Sequence, residues 1–251
     1  MKNIFYEMGE NECQQQIIMF PYLGGSGTSL MSVADELCSK TNIDVRIAFP
    51  PGHMGSDIML CDNFDKLINS YYDELIGILK SDSVFFGHSM GGTIAYFLAL
   101  KISQEQPELV PKNLILSASP PPDHMKGKQL SYGDDSKIFE DIQKIGAIPE
   151  ELTANQELLD YFLPIFRADY RILEEAALAD TGKINIPTLF ILCPSDGLTS
   201  CKNILKWRNY IASKNEFYMM ASEAGHMYLE GYKEEVSEKI IEYLNLEEKY
   251  E

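Results

Sequence analysis

Six short runs of almost wholly apolar residues recur along the 251-residue chain, with longer stretches between them. The runs cover residues 17–20, 45–49, 84–86, 114–118, 188–192 and 217–220. Strands that are buried on both faces of a sheet need side chains of this kind. Strands that alternate with helices pair in parallel. The pattern therefore predicts an α/β fold, with a mostly parallel central sheet flanked by helices.

Two of the stretches between these runs place apolar residues on one face of a helix. In the first stretch they are Phe64, Leu67, Ile68, Tyr71, Leu75, Ile78 and Leu79. In the second stretch they are Val236, Ile240, Tyr243 and Leu244. We expect both helices to pack on the sheet. The chain length suits one domain of this class, residues 1–251, although two small domains are also compatible with it.

Residues 121–185 interrupt the alternation, because they contain helical apolar patterns but no clear strand. The segment begins within a run of three prolines, Pro120 to Pro122, and ends before Pro187. We interpret it as a helical lid inserted into the domain. Its aromatic residues are expected to be exposed on mobile helices; they are Phe139, Tyr161, Phe162, Phe166 and Tyr170.

Charge and composition exclude several classes of function. Acidic residues outnumber basic ones 38 to 21, so the net charge of -17 opposes binding to nucleic acids and to anionic membranes. Residues 83–100 lack charged side chains, but they contain three glycines, His88 and Ser89. A buried strand, turn and helix explain this segment better than a membrane span.

The cysteines and the first residues predict a cytoplasmic protein. The five cysteines are odd in number and scattered, without a C-x-x-C pair, so neither a disulfide framework nor a zinc site is expected. The chain becomes acidic at Glu7 before any apolar run develops, which is unlike a secretory signal.

The chemically most informative motif is a G-x-S-x-G sequence, Gly87-His88-Ser89-Met90-Gly91. It follows the apolar run 84–86 and precedes a helical pattern, as expected for a sharp turn that exposes a nucleophilic serine. The alternative is a tight glycine-rich turn with an idle serine. The strand before the motif and the helix after it favour the nucleophile.

A nucleophilic serine needs a base, and the base needs a carboxylate that orients it. In a fold of this kind the chain order is serine, acid, histidine, which leaves His124 and His226 as candidate bases. His226 follows the last apolar run and is the better candidate. His88 is interpreted as a structural residue beside the turn, and His53 as a loop residue.

Three acidic residues compete for the role of the orienting carboxylate. Asp196 lies in the turn that ends the run 188–192, where such an acid is expected. Asp180 precedes that run, and Glu223 is only three residues from His226, so we interpret both as solvated. The predicted catalytic residues are therefore Ser89, Asp196 and His226.

An oxyanion hole needs two backbone N–H groups. One is expected from Met90, which follows the nucleophile, and the other from the glycine-rich loop at residues 20–27. A phosphate-binding role for this loop is weakly supported, because Leu30 stands where the third glycine of a dinucleotide fingerprint belongs.

The motifs together resemble the type II thioesterases, the stand-alone editing hydrolases of non-ribosomal peptide and polyketide synthesis. The resemblance spans nearly the whole chain and includes FPYLGGSG, FPPGH, GHSMGG, IPTLFILCPSD and AGHMYL. Its most discriminating element is LPIFRADYRILEEA at residues 163–176, within the lid.

The resemblance implies an α/β-hydrolase fold with a helical lid, the triad Ser89, Asp196 and His226, and an oxyanion hole formed by the N–H groups of Leu23 and Met90. The implied activity is hydrolysis of acyl or aminoacyl groups from the phosphopantetheine arm of a carrier domain. Two departures concern Leu23, which replaces the usual alanine and is expected to narrow the acyl entrance, and His53, which replaces a common arginine.

The expected enzyme is a monomer that binds its carrier transiently and uses no metal or cofactor. Two other functions remain open from the sequence: a soluble esterase for small free esters or acyl-CoA, and a non-catalytic binding module. Carrier domains are acidic according to the resemblance, so docking would depend on local cations. The candidates near the site are Lys126, Lys128, Lys202, Lys206 and Arg208.

Overall fold

The computed structural model describes residues 4–9, 13–146 and 156–249. The strands are β1 (Phe5–Gly9), β2 (Gln15–Phe20), β3 (Asp44–Ala48), β4 (Asp82–His88), β5 (Asn113–Ser117), β6 (Thr188–Leu192) and β7 (Asn215–Met219). The α-helices are α1 (Met31–Lys40), α2 (Phe64–Leu75), α3 (Met90–Glu105), α4 (Asp135–Lys144), α5 (Gln156–Ala176), α6 (Cys201–Ile204) and α7 (Lys233–Leu244).

The strands form one seven-stranded sheet in the order β1-β3-β2-β4-β5-β6-β7. Every neighbouring pair is parallel except β1 and β3. The mostly parallel sheet predicted from the apolar runs is therefore confirmed, with strand ends that differ from the predicted ones by at most two residues. Strand β1 was not predicted, because this edge strand buries Phe5 but exposes Tyr6 and Glu7 and so forms no continuous apolar run.

The two faces of the sheet pack against different helices. In β2, Ile18 belongs to a core that includes residues of α2, α3 and α5. Its neighbours Ile17 and Met19 point to the opposite face and pack in a core with residues of α1 and α7. Since successive side chains of a strand alternate between faces, burial on both sides explains why the runs are continuously apolar.

Helix α3 lies in the centre of the molecule. Its first two turns are buried on every side, which explains why they contain no charged residue. The uncharged segment 83–100 is thus a buried strand, turn and helix, as predicted. None of the described helices is both long and apolar enough to cross a bilayer.

The described elements between β5 and β6 are helical, and residues 147–155 lie outside the described part. Helix α5 has two different halves. Tyr161 is 51% exposed, whereas Phe166 and Tyr170 are buried in the main core. The expectation that Phe166 and Tyr170 are exposed is therefore wrong: the second half of α5 forms a wall of the core.

Candidate active site

Ser89 occupies the turn between β4 and α3 in a rare backbone conformation. Its φ is 54° and its ψ is -117°. Residues other than glycine seldom adopt a positive φ of this kind. Its N–H donates to the carbonyl of Ser117 on β5 at 2.8 Å, which ties the turn to the sheet. The hydroxyl is thereby presented at the N-terminus of α3.

The glycines on either side of Ser89 allow this turn to pack closely. A Cβ on Gly87 would lie 2.3 Å from the carbonyl carbon of Gly91. A Cβ on Gly91 would lie 2.0 Å from the carbonyl oxygen of Phe20 on β2. Because both obstacles are backbone atoms, neither can yield by a change of rotamer.

We expect Gly91→Ala to destabilise the fold by about 3 kcal/mol, because the added methyl forces the backbones of β2 and α3 apart. Urea-induced unfolding measures this change in the free energy of unfolding. Gly231→Ala is the control, since a Cβ at Gly231 meets no atom within 4 Å. Equal stability of the two variants would contradict the steric explanation of the motif.

The structure brings the predicted triad residues together from distant parts of the chain. The Nε2 atom of His226 lies 2.9 Å from Oγ of Ser89, and its Nδ1 atom lies 2.8 Å from Oδ2 of Asp196. All three residues are buried. Asp196 follows β6, and His226 follows β7, so both reach Ser89 at the carboxyl edge of the sheet.

Asp196 is held in its ionised form by its hydrogen bonds. Besides His226, it accepts hydrogen bonds from the N–H of Leu198 at 2.8 Å and from the hydroxyl of Thr199 at 2.5 Å. Burial favours the neutral acid, but the hydrogen bonds outweigh it and lower the pKa of Asp196 below its usual value. The carboxylate is thus available to orient His226. Sequence reasoning missed the contribution of Thr199.

The competing acids and bases are placed differently. Asp180 and Glu223 are exposed, as predicted. His124 lines the same cavity as Ser89, but its Nε2 atom lies 3.1 Å from the ammonium of Lys128. Burial, together with the charge of Lys128, lowers the pKa of His124 to about 4. This geometry favours His226 as the base.

The side chain of His88 connects the end of β4, next to Ser89, to β5. It is fully buried, and its Nδ1 atom lies 2.9 Å from Oγ of Ser117, which in turn lies 2.6 Å from the hydroxyl of Tyr228. Burial and the neighbouring His226 hold the pKa of His88 well below its usual value. A neutral, buried His88 that contacts Ser117 of β5 agrees with the structural role predicted for it.

The candidate oxyanion donors flank Ser89. Met90 begins α3, so its N–H is one of the groups that a helix leaves without an internal partner. Leu23 lies in a turn in which the N–H of Gly25 donates to the carbonyl of Tyr22 at 2.8 Å. Leu23, Ser89 and Met90 line one cavity.

This cavity has a volume of about 570 Å³, part of which is open to solvent. Its wall is largely apolar and comes mainly from the prolines at 120–122 and from the insertion. It also contains polar side chains that the sequence did not assign to the site, among them Thr93, Asp141 and Tyr170. Within the described residues, no group of three or more His, Cys, Asp or Glu side chains is placed to hold a metal ion.

Known proteins of similar sequence identify the family of this chain. Residues 15–245 match the family model described as the thioesterase domain. The chain belongs to the thioesterase domain family. One relative is the probable cadicidin biosynthesis thioesterase of Streptomyces griseus. It is 22% identical to this chain over 230 residues, which covers 92% of this chain but only 62% of the relative.

Two further relatives carry similar names. Thioesterase PikA5 of Streptomyces venezuelae is 25% identical over 231 residues, which covers 91% of this chain and 80% of the relative. The probable anguibactin biosynthesis thioesterase AngT of Vibrio anguillarum is 30% identical over 173 residues, which covers 64% of this chain and 67% of the relative.

Solved structures show the same architecture. ClbQ from the colibactin NRPS/PKS pathway superposes with a TM-score of 0.80 at 25% identity, covering 92% of this chain and 98% of ClbQ. The type II thioesterase BorB from the borrelidin biosynthetic cluster gives a TM-score of 0.82 at 23% identity, covering 97% of this chain and 99% of BorB. The predicted α/β-hydrolase fold is thereby confirmed.

Proposed function

We propose that this protein hydrolyses acyl or aminoacyl thioesters on the phosphopantetheine arm of carrier domains in non-ribosomal peptide or polyketide synthesis. The observation that carries the proposal is the hydrogen-bonded series Ser89, His226 and Asp196 at a largely apolar cavity, in a chain of the thioesterase family. The names of the relatives support the biosynthetic setting.

The first half of the reaction acylates Ser89. His226 Nε2 takes the hydroxyl proton while Oγ of Ser89 attacks the thioester carbonyl carbon. The N–H groups of Leu23 and Met90 stabilise the oxyanion of the tetrahedral intermediate. The carbon–sulfur bond then breaks, the imidazolium gives its proton to the leaving sulfur, and the carrier leaves with a free thiol.

The second half releases the acid. His226 takes a proton from a water molecule, whose oxygen attacks the acyl carbon, and the bond between that carbon and Oγ of Ser89 breaks. The proton returns from His226 to Oγ, which restores the free enzyme. Asp196 holds the ring in the required tautomer and stabilises the imidazolium in both halves.

The partner would dock through short-range contacts. The net charge of -17 opposes long-range attraction to an acidic carrier, so cations close to the cavity mouth have to act locally. Lys126 is exposed and suits this role, whereas Lys128 contacts His124 in the cavity wall.

We propose a monomer that binds its carrier transiently. Thiols at Cys13, Cys38, Cys61 and Cys193 suit a reducing cytoplasm.

We expect kcat/KM for a carrier-bound acyl group to exceed that for the same acyl group on N-acetylcysteamine by about 10- to 100-fold, because only the carrier uses the docking surface. Steady-state hydrolysis of both thioesters, and of the matching oxygen ester, measures the ratio. Equal values for all three would instead support the alternative, an esterase for small free esters or acyl-CoA.

The docking surface has its own control within this experiment. Lys126→Glu should raise KM for the carrier-bound substrate and leave hydrolysis of the short thioester unchanged. Lys214→Glu is the matched charge reversal, because Lys214 is 81% exposed and precedes β7 at the opposite edge of the sheet. An equal effect of both variants would remove Lys126 from the docking surface.

A further inference from the structure

A buried carboxylate of the insertion contacts the proposed oxyanion loop. Asp169 of α5 is only 2% exposed. Its Oδ2 atom accepts a hydrogen bond from the N–H of Gly24 at 2.7 Å and lies 3.1 Å from Nε2 of His53. Three segments that are distant in sequence therefore meet at one oxygen atom.

The same helix fixes Gly24 from a second side. Gly24 has a φ of +73°, and a Cβ on it would lie 2.2 Å from the ring of Phe166, one turn before Asp169. The N–H that Asp169 accepts belongs to the peptide between Leu23 and Gly24. Holding this peptide limits the rotation of Leu23 and so limits the direction in which the Leu23 N–H points.

His53 supplies the countercharge. Its two ring nitrogens face acceptor oxygens, Oδ2 of Asp169 at 3.1 Å and the carbonyl of Pro51 at 3.3 Å, an arrangement that suits a doubly protonated ring. Burial favours the neutral ring, but the carboxylate of Asp169 outweighs it and raises the pKa of His53 above its usual value. A buried carboxylate without such a partner would be costly.

We propose that Asp169 is a positioning residue for the oxyanion donor Leu23, and that protonated His53 keeps Asp169 ionised in this role. The inference rests on the proposed function, since it assumes that the Leu23 N–H stabilises the oxyanion. It assigns a task to the insertion beyond covering the acyl cavity: α5 sets the conformation of the oxyanion loop.

The test uses a short p-nitrophenyl ester, which forms the same oxyanion without a carrier. Asp169→Ala should lower kcat about 30-fold, less than the 10²- to 10³-fold typical for outright loss of an oxyanion donor, and change KM less than about 3-fold. Affinity for a boronic acid, which forms a tetrahedral adduct with Ser89, should fall by a similar factor. Asp169→Asn keeps an acceptor for Gly24 and should lose only about 5-fold.

Glu174→Ala is the matched control. Glu174 is a buried carboxylate of the same helix, but it accepts hydrogen bonds from the N–H and the hydroxyl of Ser131 instead of the oxyanion loop. Its kcat and boronic acid affinity should stay within about 3-fold of the parent values. The positioning role would be overturned if the Glu174 and Asp169 variants lost equal fractions of kcat. It would also be overturned if Asp169→Ala lowered the unfolding temperature without lowering kcat.

The pH profile of kcat provides a readout that a purely structural contact would not move. The titratable groups that line the pocket beside His53 are Asp169 on α5, Tyr71 on α2, Cys61 in the loop before α2 and Tyr22 in the loop after β2. Burial raises the pKa of Tyr71 and of Cys61, so His53 loses its proton before either of these two groups does as the pH rises. Because its pKa is raised, the charge is present at low pH and lost as the pH rises through that value.

We therefore expect kcat of the parent protein to decline on the alkaline side, and His53→Arg, which keeps the charge, to hold its kcat there. An unchanged alkaline limb in His53→Arg would overturn the role of His53. Failure of the proposed function is a separate result: a protein that cleaves the ester but not the carrier-bound thioester still allows the Asp169 comparison.

Discussion

Replacing Ser89 with alanine is expected to lower kcat by about four to six orders of magnitude, because the reaction loses its nucleophile. The fold should survive. Alanine fits the space of serine, and the backbone contact that ties the turn to the sheet, from the Ser89 N–H to Ser117, does not involve the side chain. Steady-state kinetics together with thermal unfolding separates loss of chemistry from loss of structure.

His226→Ala should cost about as much as Ser89→Ala, since the serine hydroxyl is a poor nucleophile without the base 2.9 Å away. The double variant should be no worse than either single variant, because residues that act as a unit have non-additive effects. If the double variant instead shows the product of both losses, Ser89 and His226 act independently and the assignment is wrong.

Covalent labelling extends this test to the non-catalytic alternative. A serine-directed fluorophosphonate should label the parent protein and fail to label Ser89→Ala, because the hydrogen bond to His226 activates the Ser89 hydroxyl. An unreactive parent protein would favour the binding module over the hydrolase.

Asp196→Asn is expected to lower kcat by about 10⁴-fold, because an amide no longer selects the tautomer that leaves Nε2 of His226 free to accept the serine proton. Asparagine nearly matches aspartate in shape, so the unfolding temperature should change much less than the rate. The carboxylate also stabilises the imidazolium that forms during the reaction, and this stabilisation is lost with the charge.

The control for the acid is Glu223→Gln, which removes the other candidate carboxylate near His226 in the sequence. Glu223 is exposed, so its replacement should leave kcat within about 3-fold of the parent value. A larger loss for Glu223→Gln than for Asp196→Asn would show that the orienting acid has been chosen wrongly.

The fold was predictable wherever a local pattern follows from burial. The six apolar runs became β2 to β7, since a parallel strand covered on both faces needs apolar side chains at successive positions. The edge strand β1 escaped prediction for the same reason: Tyr6 and Glu7 are exposed there, so no continuous apolar run forms. The burial of the second half of α5 was not predicted, because the helical spacing of apolar residues does not show which element packs on their face of the helix.

The site was predictable to the extent that chain order and strand ends determine it. Parallel strands place their carboxyl ends at one edge of the sheet, so residues following β4, β6 and β7 had to come close to one another. This rule selected Ser89, Asp196 and His226, and the structure shows them in hydrogen-bonding contact. Their catalytic roles stay predictions until the substitutions are measured.

The sequence by itself determined the turn around Ser89, because the glycines, strand and helix that shape it are neighbours in the chain. Only the tertiary structure decided how the insertion meets the site. Asp169 is 145 residues from Gly24 and 116 from His53, and no local pattern links them. Their contact depends on how α5 packs against α2 and α3, which is set by the summed burial of many side chains and not by any short segment.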